Sequence, residues 1–154
     1  MKHTIFTLLI LLITPNVFAT ENTPIKAVNN LFDAMRQHDG NKLLAQFTQD
    51  AQLERVTIDN VVTRSELPKF AHFVGTSEKY LDEKLLSISI HVSDNLASIW
   101  TPYAFYIDGK LSHCGVNSFQ LIHTDKQWKI QYLIDNTHSG DCNTFINKHK
   151  KTSA

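Results

Sequence analysis

The chain has 154 residues, 42% of them hydrophobic, which is enough for one domain with its own core. Fifteen Lys and Arg balance fifteen Asp and Glu, so the basic footprint of a nucleic-acid binder is absent and no nucleic acid partner is expected. Two cysteines, Cys114 and Cys142, are too few for a multi-cysteine zinc fold.

Residues 1–19 read as a secretory signal. Lys2 supplies the positive start, Ile5 to Ile13 is apolar, and Val17-Phe18-Ala19 ends the segment with a cleavable pattern. The apolar run falls short of the about 20 residues that cross a bilayer. Pro15 and Asn16 interrupt it, so no stable membrane span is expected after cleavage. The reading places the protein outside the cytoplasm, periplasmic or secreted. Cleavage removes Lys2 and no acidic residue, leaving a formal charge of −1 on a domain over residues 20–142.

Thr23 can cap a first helix with Pro24 in its first turn. Ile25, Val28, Leu31, Phe32 and Met35 recur at helical spacing, and Gly40 marks the stop. A short second helix carries Leu43, Leu44 and Phe47. Residues 51–58 alternate as a strand. Ser65 caps a third helix with Pro68 in its first turn and Leu67, Phe70, Phe73 and Val74 on one side. After a polar connector over 76–82, residues 85–92 alternate as a second strand.

Three long strands follow, joined by Asp108-Gly109, a strong two-residue hairpin signal, and by Asp125-Lys126. With regular pairing from these turns, Trp100, Tyr106, His113, Asn117, Phe119, Leu121, Trp128, Ile130, Tyr132 and Ile134 share one face, which packs on the helices. Ile99, Thr101, Tyr103, Phe105, Cys114, Val116, Gln131 and Asp135 share the other. A bulge would exchange these assignments locally. The second face is half apolar with too little helix to cover it, which favours a homodimer through the outer sheet face. Residues 143–154 read as a mobile polar tail. In an oxidising compartment Cys114 and Cys142 form a disulfide, the alternative being two buried or free thiols.

The order and residues of this chain resemble the nuclear transport factor 2-like superfamily, with its ketosteroid-isomerase-like and polyketide-cyclase-like (SnoaL-like) domains. The likeness lies in TPIKAVNNLFDAM, in FTQDA, in LASIWTPYAFYIDGKLSHCGVNSFQLIH and in WKIQYLID, and spans about residues 24–136. The nearest branch is small exported bacterial members sometimes labelled lumazine-binding. The resemblance implies an α+β fold: a cone-shaped, curved antiparallel sheet packed on three helices from the N-terminal half, with an apolar pocket inside.

In such a pocket His113 is the candidate general base, and Trp100, Tyr106, His113, Asn117 and Tyr132 are the candidate ligand contacts. No carboxylate falls on that face in regular register. Asp135 falls on the other face as an ion-pair partner, and Arg55 and Arg64 read as solvated. There is no Gly-rich phosphate loop, GxSxG or HExxH, and the histidines form no ligand set, so no cofactor and no metal are expected. The expected function is an exported protein, binding module or pseudo-enzyme, that holds a small apolar or aromatic molecule. One alternative is an isomerase-, cyclase- or dehydratase-type enzyme using His113 with Tyr106 or Tyr132. Another is a dimeric interaction module whose pocket is filled by its own side chains.

Overall fold

The computed structural model of the protein describes residues 22–150. The leader reading lies outside the described residues, as does the end of the expected tail. The elements in chain order are α1 (Pro24–Arg36), α2 (Gly40–Leu44), β1 (Phe47–Val56), β2 (Val62–Ser65), α3 (Leu67–Thr76), β3 (Leu81–Leu85), β4 (Ser89–Ser93), β5 (Leu96–Ile107), β6 (Lys110–Thr124), β7 (Gln127–Thr137) and α4 (Cys142–Lys150). Among them no helix is long and apolar enough to cross a membrane.

One sheet runs in the order β2-β1-β7-β6-β5-β3, and β4 pairs with the far end of β5. It is mixed rather than antiparallel throughout, because β1 lies parallel to β7. Its concave side packs on α1 to α3. Val28, Leu31, Phe32 and Met35 of α1 meet Ile99, Phe119, Leu121 and Ile130 in one core, with Phe32 edge-on to Phe119 at 6.4 Å between ring centres. The described residues therefore form an α+β fold with a curved sheet wrapped around N-terminal helices.

Boundaries depart from the sequence reading where local chemistry decides. His38 takes φ +55° and turns the chain, and the Asp39 side chain accepts a hydrogen bond from the Lys42 amide at 2.9 Å. Gly40 thus opens α2 instead of merely stopping α1. A Cβ there would lie 2.4 Å from the Ala71 carbonyl oxygen, so glycine lets α2 touch α3. Ser65 lies in β2, opposite Leu53, and Glu66 precedes α3. The single strand expected over 85–92 is two, β3 and β4. Leu85 faces Tyr103 but Ser89 faces Trp100, a one-residue slip along the same edge of β5.

Two bulges bend the long strands. Phe105 faces His113 while Tyr106 faces Leu111, leaving Ser112 extra; Gln120 faces Tyr132 while Leu121 faces Ile130, leaving Gln131 extra. Each bulge moves the strand beyond it by one residue, which turns every later side chain to the opposite face. Trp100 therefore pairs with Ser118 and not Asn117, and Phe119 pairs with Leu133 and not Tyr132.

Residues 142–150, expected as the final residue of the domain and the start of a tail, form α4. It packs against β5 and β6, buries Ile146, and is joined to β6 by the Cys114–Cys142 disulfide with Cα atoms 5.7 Å apart. Cys142→Ser should lower the unfolding free energy by roughly 3–4 kcal/mol for a loop of this length. A urea melt that matches the oxidised protein would show that the crosslink constrains little.

Candidate functional site

The inner face of the sheet is built from β3 residues 81, 83 and 85, odd residues of β5 and β6, and Leu53, Arg55, Leu133 and Asp135. Near the middle a transverse row of polar residues crosses five strands. Thr101 faces Asn117, Asn117 faces Asp135, Asp135 faces Arg55, and Arg55 faces Thr63. The next row is Ile99, Phe119, Leu133, Leu53 and Ser65, mostly apolar. The polar row thus borders an apolar cup.

Over this row lies a hollow of about 430 Å³. Leu31, Phe32 and Met35 of α1 and Phe70, Phe73 and Val74 of α3 roof it; Glu83, His113, Asn117, Arg55 and Asp135 are its polar lining. A second depression, between the start of α1 and the β6–β7 turn, is lined by Lys26, Lys126, Lys129 and amides. It lacks the convergent acid–base groups of the cup, which is why the cup is the candidate site.

Glu83 is the most perturbed group in the cup. Asn117 Nδ2 donates to its Oε1 at 2.6 Å, and its other oxygen has no protein partner among the described residues. Part of the residue faces the hollow, yet its carboxyl is deep enough that desolvation pushes its pKa up to about 8, with the Asp135 charge adding to the rise. Asn117 and Arg55 act against that rise without cancelling it. Glu83 is therefore mostly protonated at neutral pH. Arg36 holds its strand in place, donating to Asp82 Oδ1 at 3.0 Å and to the Glu83 carbonyl at 3.4 Å.

Arg55 Nε donates to Asp135 Oδ1 at 2.8 Å, and its Nη2 donates to Oδ2. The Asp135 side chain is only 11% exposed. Hydrogen bonds to Asp135 hold the guanidinium above its ordinary value. His113 lies edge-on to Tyr103 at 5.8 Å and beside Phe105 at 5.0 Å, with Ser112 Oγ 3.1 Å from its Nδ1. Burial, and then the Arg55 charge, lower its pKa, so the imidazole is neutral. Tyr103 spans the sheet and donates to the Asn136 carbonyl at 3.0 Å.

Of the residues expected to meet a ligand, His113 and Asn117 line the hollow. Trp100, Tyr106 and Tyr132 do not. The bulge at Ser112 turns Trp100 and Tyr106 to the outer face, where Trp100 is 55% exposed and Lys84 Nζ sits 4.7 Å over the Tyr106 ring. The bulge at Gln131 turns Tyr132 outward, where its hydroxyl donates to Glu54 Oε2 at 2.7 Å. The same slips carry Asp135 inward to Arg55. Both had been expected outside the cup, Asp135 on the other face and Arg55 in solvent. Glu83 was missed altogether. Its signal was Leu81-Asp82-Glu83-Lys84-Leu85, a carboxylate placed between two inward leucines. Among the described residues no group of three or more His, Cys, Asp or Glu could hold a metal ion.

No protein-family profile and no curated protein matches the chain. Solved structures do. One is a candidate dehydratase of the NTF2-like family from Streptomyces avermitilis, at 16% identity and TM-score 0.61, covering 75% of this chain and 93% of that one. Another is a protein of unknown function from Mycobacterium tuberculosis, at 16% identity and TM-score 0.63, covering 84% and 85%. A third is a candidate calcium/calmodulin-dependent protein kinase II association domain from Xanthomonas campestris, at 18% and 0.61, covering 76% and 87%. At such identities the likeness is one of fold. It places the chain broadly among NTF2-like, SnoaL-like folds and singles out no sub-branch, the lumazine-binding label included.

Proposed function

We propose that this protein is an exported module that binds a small organic molecule in the cup. The observation that carries the reading is the combination in one hollow of apolar walls with a few convergent polar groups, Glu83, Asn117, His113 and the Arg55–Asp135 pair. The disulfide supports an oxidising compartment. Exposed Trp100 and Leu96 on the outer face support a homodimer through that face.

A second reading, acid–base catalysis, is favoured by Glu83. A carboxyl whose pKa lies near 8 beside a neutral imidazole is equipped to donate and accept protons at neutral pH. It replaces the pairing of His113 with Tyr106 or Tyr132, which the fold separates.

Native mass spectrometry of the exported protein tests the binding and dimer readings together. The expected spectrum is a dimer with an added mass on the order of a few hundred daltons, a ligand sized for such a cavity. Thr63→Trp, which fills the hollow from its exposed edge, should abolish that added mass and leave the dimer. A wild-type apo spectrum, with no stabilisation by any member of a library of ring-sized molecules, would overturn the binding reading. A monomer would overturn the dimer.

A further inference from the structure

The charges in the cup say what kind of molecule it takes, granted the binding reading above. Arg55 and Asp135 neutralise each other through at least two hydrogen bonds. On the α1 side, Arg36 is matched by Asp33 and Asp82. His113 is neutral, and no other cation lines the hollow. A carboxylate entering the cup would lose its hydration and meet Asp135 with no free countercharge. An ammonium would meet the Arg55 guanidinium and a carboxyl that holds its proton.

Hydrogen-bond bookkeeping narrows the class further. Asn117 Nδ2 already occupies Oε1 of Glu83, so the proton of the neutral acid belongs on the oxygen without a protein partner. That gives the cup one unused O–H donor at the head of a polar row, with aromatic and aliphatic walls beside it. We infer that the cup takes an uncharged, ring-sized molecule whose acceptor oxygen, a carbonyl in the simplest case, receives the Glu83 proton in a hydrogen bond.

Four compounds with one bicyclic skeleton separate the possibilities by calorimetric titration at pH 7: tetralin, 2-tetralone, tetralin-2-carboxylate and 2-aminotetralin. The ketone should bind the wild-type protein about tenfold or more tighter than the other three, as expected of one satisfied donor against a lost or repelled contact. Glu83→Leu should bring the ketone down to the level of tetralin. Glu83→Gln, which keeps a neutral donor, should retain most of its affinity and shows that the fold survives. Equal or tighter binding of the carboxylate or the ammonium overturns the inference, as does a ketone no better than tetralin. In those cases the skeleton still binds and the cup remains a binding site. If none of the four binds at millimolar concentration the inference also falls, and only an empty library screen then removes the binding reading with it.

Discussion

Gly115→Ala should leave little folded protein. A Cβ at this position would lie 1.9 Å from the Asn136 carbonyl oxygen and 2.9 Å from its carbon and from the Tyr103 hydroxyl. The first two atoms are backbone, so no side-chain rotation relieves the clash. The same carbonyl receives the Tyr103 hydroxyl at 3.0 Å, and the Asn136 side chain receives the Val116 amide at 3.0 Å. Separating β6 from β7 would break both, directly beneath the cup. The expected loss is roughly 3–5 kcal/mol, at the upper end of what single substitutions do and comparable with the whole stability of a small domain. Circular dichroism with urea denaturation checks it. An unchanged midpoint would mean that the two strands can part locally at no cost.

Glu83→Gln should change how stability depends on pH. In the unfolded chain the carboxyl titrates near its ordinary 4.5; in the folded protein burial raises it to about 8. Between these values the unfolded chain has released its proton and the folded protein has kept it. The folded state binds more protons, so stability falls as pH rises through this window. Below pH 4.5 the neutral carboxyl carries no such penalty. Across the window the loss amounts to roughly 3–5 kcal/mol. An amide cannot ionise, so the variant should gain on the wild-type protein steadily from about pH 5 to pH 8 in thermal melts. His113 pulls the other way: its lowered pKa favours the folded state above its ordinary range and costs stability on acidification. That contribution is common to both proteins and cancels in the comparison. A difference that stays flat from pH 5 to pH 8 would sink the assignment of Glu83 as a buried neutral acid.

Much of the fold was legible because turns and helices announce themselves locally. Asp108-Gly109 and Asp125-Lys126 turn where their sequence says they should, with positive φ at all four residues. The apolar spacing of α1 marks its buried face, and the two cysteines meet. The site was harder because it depends on register. Ser112 and Gln131 look like ordinary alternating strand residues. Yet each adds one residue to its strand and exchanges the faces of everything beyond it. That is why Trp100 and Tyr132 were expected inside and Asp135 outside. His113, Asn117, Phe119 and Leu121 were placed correctly because they lie on β6 between the two bulges, where regular alternation holds. Arg55 gave no local sign of its partner, since Asp135 is 80 residues away. α4 escaped because its apolar contribution is small: of its residues only Ile146 is fully buried, and a crosslink, not periodicity, fixes its place.

The parallel pairing of β1 with β7 sets an order on how the molecule can be assembled. The neighbour that β1 needs is among the last strands to be synthesised, with almost the whole sheet between them in sequence. The β1–β2 hairpin can form early, but its other edge must wait. The three-stranded meander from β5 to β7 is local and can form alone, so it is the natural nucleus onto which the N-terminal third docks last. Arg55 reaches Asp135 only at that docking step, so the cup is complete only when the chain is. A polypeptide whose N-terminal third finds its partner strand only at the end stays open until synthesis is nearly finished, the condition in which a chain can still be threaded through a narrow channel.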